Sequence, residues 1–344
     1  MQLLKYIPWL LFFVLPLTGN TQNLVPNGSF EQLKPNYTLG SFYRDFDTSI
    51  KFWHSPGNYP PFVIKKEPFE PPERKVMDGF GCFYFLPRTG RVAIHMHNHV
   101  YLGEPGGRNN WRSYLQTQLT SKLEQGKKYE VKFYVLFSSS SSISMNEIGI
   151  FFSNDSVREN RQKAYTDPTY SMFTPPLTPQ LEYTGENLKD TSKWVEMKWI
   201  YTATGNENWI TIGRFNNDTL SKQKMDTLNF KCEIDTNMYK SYLSFVYLLD
   251  DVSVVELGPV YGETKACRND SVLLVALADS FEYWSSSAAG TDTLSLNDSI
   301  WVKITSDTSV YLFADSVYQT ALKAVDYPVL NLSGQRYKCE GDEI

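Results

Sequence analysis

The chain has 344 residues, 42% of them hydrophobic and 21% charged, and a formal net charge of −5. That length predicts about two domains, and the composition excludes a disordered protein. An acidic balance without clustered Lys and Arg excludes nucleic acid as a partner. Aromatics reach 15%, with 22 Tyr and 21 Phe. Together with β-branched residues set between Gly, Asn, Asp and Ser clusters, they predict an all-β protein.

Residues 1–22, MQLLKYIPWLLFFVLPLTGNTQ, hold one Lys, an apolar run from Ile7 to Leu17 and then small polar residues. The run is too short to span a bilayer comfortably and reads as a secretory signal peptide cleaved near Thr21 or Gln22. No second membrane-spanning candidate follows, so the mature chain is expected to be exported to the cell surface or secreted. Export permits disulfides. The cysteines Cys82, Cys232, Cys267 and Cys339 form no CxxC pair, which argues against structural zinc. Several pairings stay open, with Cys82–Cys232 a first guess.

Residues 54–90 carry seven prolines and residues 154–192 carry four. Proline removes ladder donors, so both stretches are expected to be long loops at the rim of a sandwich, where ligand contacts can be built. Between them, RVAIHMHNHVYLG at 91–103 holds three of the four histidines. Val92, Ile94, Met96 and Val100 alternate with Ala93, His95, His97, His99 and Tyr101, so the apolar set should face the core and the imidazoles solvent. Three readings stand for the trio: a polar outer face, contact with a sugar or peptide, or a metal site. Strand geometry weakens the last, because His95 and His99 lie roughly 13 Å apart and one zinc ion can hold only neighbours.

Further strands follow with the same period of two. KYEVKFYVLF places Tyr129, Val131, Phe133, Val135 and Phe137 on one face, and WVEMKWIYTA does so for Val195, Met197, Trp199 and Tyr201. EIGIFFS, NWITIGRF and YLSFVYLLDDVSVVEL complete the set. Strands without intervening helices predict a sandwich or jelly roll. After GPVYGET the texture changes, and ACRNDSVLLVAL, FEYWSSS and SIWVKITSDTSVYLF read as short strands of a smaller domain. CRNDSV at Cys267 recurs as CEGDEI at Cys339, which implies tandem immunoglobulin-like modules. The expected organisation is a signal peptide at 1–22, a jelly roll at 23–257, an immunoglobulin-like domain at 258–338 and the start of a further repeat at 339–344.

NLVPNGSFEQ at 23–32 and LLDDVSVVEL at 248–257 resemble the first and last strands of a carbohydrate-binding-module-like (galactose-binding-like) jelly roll. FWHSPGNYPPF, RTGRVAI, SYLQTQLTSKLEQGKKYEVKFYV, IGIFFS and WITIGRF fall between them. That order is similar to the N-terminal domain of secreted surface and outer-membrane proteins of gliding bacteria, where immunoglobulin-like repeats follow. The resemblance implies a structural calcium ion held by Glu31 and Asp250, and calcium accepts such oxygens readily. The alternative is that both carboxylates merely end strands and accept backbone hydrogen bonds.

Sugar recognition in such modules uses flat aromatic faces with polar groups around them. Trp53, Tyr59, Tyr101 and Trp111, with His95, His97 and His99, are the candidate ligand contacts. No GxSxG elbow, HExxH motif or phosphate loop occurs. The expectation is a non-enzymatic, exported binding or adhesion protein for a glycan or another extracellular ligand. The rivals are a purely structural or adhesive module without a small ligand, and the accessory domain of a glycan-degrading enzyme.

Overall fold

The computed structural model describes residues 22–35, 46–57, 60–65, 74–78, 81–85, 87–101, 112–138, 141–158, 177–216, 226–227 and 242–326. The side chains of residues 74–78, 81–85, 99–101, 227 and 242–244 fall outside that description. So do the signal peptide through residue 21, Tyr59, Trp111, Cys232 and residues 327–344.

In chain order the elements are the helical turn α1 (Phe46–Ser49), β1 (Trp53–His54), β2 (Phe62–Lys65), β3 (Arg74–Asp78), β4 (Gly81–Phe85), β5 (Val92–Tyr101), β6 (Tyr114–Gln118) and β7 (Lys128–Phe137). Then come β8 (Ile143–Ser144), β9 (Gly149–Ser153), β10 (Leu181–Glu182), β11 (Val195–Thr202), β12 (Trp209–Gly213), β13 (Asp226–Thr227) and β14 (Tyr242–Glu256). Beyond Leu257 lie β15 (Val260–Gly262), β16 (Lys265–Cys267), β17 (Ser271–Ala276), β18 (Tyr283–Ser285), β19 (Ser299–Lys303), β20 (Thr308–Phe313) and β21 (Val317–Val325).

Two five-stranded antiparallel sheets form the larger unit, a front sheet ordered β1-β6-β12-β9-β10 and a back sheet ordered β11-β7-β14-β5-β2. The chain crosses between them at β1–β2, β5–β6, β6–β7, β7–β9, β10–β11, β11–β12 and β12–β14, the path of a jelly-roll sandwich. Alternation drives the packing, because each strand can turn only every second residue inward. Ile94, Met96, Phe133, Val135, Phe245 and Leu249 from the back sheet meet Leu115, Ile150, Phe152, Ile210 and Ile212 from the front sheet, all fully or almost fully buried.

Residues 22–28 run beside the end of β14. Leu24 N donates to Val254 O at 2.8 Å, and Val252 N donates to Gly28 O at 2.9 Å. Asn23 adds side-chain bonds to the carbonyl of Val252 and the amide of Val254, each 3.0 Å. The two ends of the predicted jelly roll are thereby stitched together.

Two expectations need correction. The stretch 54–90 is not all loop: it contributes β2, β3 and β4. Their brevity hid them, since a strand of four or five residues carries little periodic signal. The second correction concerns the histidines. Parity holds, because Val92, Ile94 and Met96 enter the main core, but the opposite face is buried as well. Ala93 packs there with Leu136 and Leu248, and with the partly buried Ile64 and Trp194. His95 and His97 are fully buried, their Nδ1 and Nε2 atoms 2.6 Å apart, with the Phe62 ring edge-on to His97 at 4.6 Å. Burial pushes the His95 imidazole down to about 3.

After Leu257 two smaller sheets, β15-β17-β19 and β16-β21-β20-β18, enclose Val272, Leu274, Trp284, Ile304, Val310, Leu312 and Leu322. β16 runs parallel to β21, and Cys267 at its end takes part in a disulfide. Tyr261 Oη donates to Glu130 Oε2 at 3.0 Å and Lys128 Nζ donates to the carbonyl of Leu277 at 2.6 Å, tying this part to β7.

Chemical denaturation checks the buried back face. Ile94→Ala should cost about 2–5 kcal/mol through an unfilled cavity. The double change His95→Gln and His97→Gln should cost about 1–3 kcal/mol by breaking a buried hydrogen bond. His95 stays neutral in the folded state down to about pH 3, whereas it protonates near 6.5 once unfolded. Its contribution is therefore full above pH 6.5 and is lost as the pH falls toward 3. A double variant as stable as the wild type would place these imidazoles in water.

Candidate functional site

The outward face of the front sheet is built by the same alternation. Ile210 and Ile212 enter the core, so Trp209, Thr211 and Gly213 turn the other way. Leu115 inward leaves Tyr114, Gln116 and Gln118 outward. Ile150 and Phe152 inward leave Gly149, Phe151 and Ser153 outward, and Trp53 inward leaves His54 outward.

Strand register arranges these residues in rows. One row runs His54–Gln116–Thr211–Phe151, the next Gln118–Trp209–Ser153, and a third Tyr114–Gly213–Gly149. The third row is capped. Tyr114 packs with Val157, Leu177 and Phe215, and a Cβ on Gly213 would lie 2.3 Å from Tyr114 Cδ1, so only glycine lets that ring lie down. Gln116 holds the capping segment in place, donating to the carbonyl of Val157 at 2.9 Å and accepting from its amide at 3.0 Å.

The row at the other end is open. Trp209, Phe151 and Ser153 are partly exposed, and His54 and Gln118 are exposed. The rings of His54 and Trp209 are 6.5 Å apart. Between the capped and open ends lies Thr211, fully buried and so out of a ligand's reach, whose Oγ1 has no hydrogen-bond partner among the described residues. An indole face flanked by an imidazole, an amide and a hydroxyl can pack on the C–H face of a sugar ring while hydrogen-bonding its hydroxyls.

The contacts expected from sequence lie elsewhere. Trp53 is fully buried against Phe30 at 5.1 Å and donates through Nε1 to the carbonyl of Asn27 at 3.1 Å. A ring with no exposed face cannot stack on a ligand, so Trp53 is a core residue. His95 and His97 belong to the back sheet, turned away from the front-sheet face. His99 and Tyr101 end β5, paired with Ser244 and Tyr242, and their side chains fall outside the described residues, as do Tyr59 and Trp111. Sequence reading passed over Trp209, His54 and Gln118. The signal was present in NWITIGRF, where two inward isoleucines commit the tryptophan to the opposite face.

Glu31 and Asp250 meet the same segment, residues 88–92, from two sides. Glu31 Oε1 accepts from the amides of Arg91 and Val92, both at 2.8 Å. Gly90, at φ +59°, makes room, since a Cβ there would lie 2.4 Å from that oxygen. Asp250 Oδ2 accepts from the amides of Arg88 and Thr89 at 3.1 and 3.3 Å, and Oδ1 from Asp251 N at 2.8 Å. Asp251 in turn takes the Arg88 guanidinium at 2.6 Å and the Thr89 hydroxyl at 2.7 Å. N–H donors suit an anion rather than a cation. No group of three His, Cys, Asp or Glu side chains suited to a metal gathers among the described residues. The residues around both carboxylates therefore fit an N–H clamp better than a calcium site with six to eight oxygens.

No protein-family model matches the chain, and no curated protein matches it. Similar solved structures include the CBM22-1 xylan-binding domain of Xyn10C from Paenibacillus barcinonensis, at 12% identity and a TM-score of 0.31, covering 69% of this chain and 95% of that one. The CBM22-1–CBM22-2 tandem of the same protein matches at 10% identity and a TM-score of 0.31, covering 88% and 86%. The K1 cleaved adhesin domain of Lys-gingipain from Porphyromonas gingivalis W83 matches at 12% identity and a TM-score of 0.26, covering 60% and 92%.

A pH series separates the N–H clamp from calcium. Burial first, and the charge of Asp251 second, push the Asp250 carboxyl up to about 7 against the pull of its backbone donors. A carboxyl raised from 3.8 in the folded state holds its proton longer there. Its stabilisation is thus present at low pH and is lost as the pH rises through 7. Relative to Asp250→Asn, the wild type should lose up to about 1.4 kcal/mol per pH unit between about pH 4 and 7 and level off above that. A difference independent of pH, together with a melting temperature lowered by chelator, would assign Glu31 and Asp250 to calcium.

Proposed function

We propose that this chain is an exported, non-catalytic binding protein whose jelly roll takes a glycan on the outward face of the front sheet. The observation that carries the reading is the row of Trp209, Gln118 and Ser153 beside His54. None of those four side chains is a carboxylate or a lysine or arginine, so the lining suits hydroxyl groups and C–H faces rather than a charged ligand. The part after Leu257 serves as a spacer, docked to β7 through Tyr261 and Lys128. Among the described residues no helix is long and apolar enough to cross a membrane.

The test is a screen of the mature chain against a panel of neutral and acidic oligosaccharides, followed by titration calorimetry on the hits. A neutral saccharide should bind, and Trp209→Ala should weaken it about tenfold or more, because a flat ring central to a binding face carries much of the energy. Melting temperature should change little in this variant, since Trp209 is outside the inward-facing set. Full binding by Trp209→Ala would move the site to another surface, and an empty screen would favour the structural or adhesive reading.

A further inference from the structure

The last strand of the sheet β15-β17-β19 has an unpaired side. β19 lies at the edge, and no other described strand flanks it. Its hydrogen bonds with β17 follow the even residues: Ala276 N donates to Asp298 O at 2.7 Å and Ile304 N to Asp270 O at 2.8 Å, on either side of an unbroken register. In an antiparallel pair the bonded residues alternate. The main-chain N–H and C=O groups of Ser299, Trp301 and Lys303 consequently point away from β17, to the open edge.

A second observation falls on the same strand. Trp301, at the centre of β19, is 69% exposed, and its cross-strand partner Leu273 is 38% exposed. Large apolar side chains at the middle of a sheet edge are what soluble proteins usually avoid, since the edge is a template for another strand. Proline, a bulge or an inward-pointing charge would block it, and SIWVK has none of these; its one charge, Lys303, sits at the strand's end.

We propose that β19 is a self-association edge, and that it pairs antiparallel with β19 of a second copy of this chain about a two-fold axis at Trp301. The pattern is self-complementary. Centring the axis on Trp301 sets Trp301 against its own copy and Ser299 against Lys303 of the second copy, and all three are the residues whose main-chain groups face outward. The only charged side chain of the strand meets a serine, so no like charges stand opposite each other. The two indoles and the two Leu273 side chains then form one covered patch on a continuous six-stranded sheet. A five-residue edge buries less than the roughly 1,200 Å² of a standard interface, so the dimer is weak and concentration-dependent.

Sedimentation velocity of the mature chain, from micromolar to millimolar concentration, should show a monomer–dimer equilibrium. Trp301→Lys places two ammonium groups at the axis and should raise the dimer dissociation constant about tenfold or more, without unfolding an already exposed position. Hydrogen exchange gives the sharper readout. The amides of Ser299, Trp301 and Lys303 should slow with increasing concentration, whereas those of Ile300 and Val302 stay protected throughout. Trp209→Ala should leave all of this intact, which separates the edge from the glycan face. A chain that stays monomeric, a dimer that leaves the three odd-numbered amides fast, or equal dimerisation by Trp301→Lys would overturn the proposal. So would a saccharide whose binding depends on Trp301.

Discussion

The period of two along β12 is the constraint on which the candidate site depends. Ile212 is held in the core between Leu115 on one neighbouring strand and Ile150 on the other, and Ile210 stands beside Phe152. Slipping the strand by one residue would drive Trp209 and Thr211 inward and expose both isoleucines, a change that loses most of the burial along the strand. The front sheet therefore presents the indole outward as a consequence of core packing. Its neighbours follow by register, since antiparallel pairing fixes which side chain stands beside which. The face is as rigid as the core beneath it, and a preorganised surface loses little entropy on binding.

How much of this was legible in the sequence depends on the element. Long strands with one clean apolar face, Lys128–Phe137 and Val195–Thr202 among them, declared themselves through alternation. β1 and β2 did not, being two and four residues long and set among prolines. The histidine strand shows a different limit. Alternation correctly divided Ile94 and Met96 from His95 and His97, but it says nothing about whether the second face meets water. The evidence for a covered face lay in neighbouring strands, where YVLF in β7 and SFVYLL in β14 run apolar at consecutive positions, as buried strands do. Read together, Leu136, Val246 and Leu248 mark a sheet packed on both sides.

The clamp at residues 88–92 shows how the sandwich is closed beside the stretch of β14 that residues 22–28 bond. Two carboxylates far apart in sequence cap amides of one short segment, while residues 22–28 bond the end of β14. The register of β14 against β7 shifts between Asp250 and Ser253, and Asp251 sits at φ +51°. Such a bulge bends the strand and frees one side chain to turn toward a loop. Asp250 and Asp251 thus both reach the 88–89 turn despite being adjacent, which simple alternation forbids. The sequence motif DDV signalled that something special happens there, and only the bulge explains how both carboxylates take part.

The central claim is that a sugar ring packs on Trp209. The most direct measurement is a two-dimensional NMR titration of the mature chain with a bound oligosaccharide, following the tryptophan indole N–H signals. The account predicts that the Trp209 indole and the side-chain amides of Gln118 shift together and saturably, with ring-current shifts on the sugar C–H protons. Signals of Trp53 and Trp284, both buried in the two cores, should stay in place. Shifts confined to other tryptophans, with Trp209 and Gln118 unmoved, would contradict it.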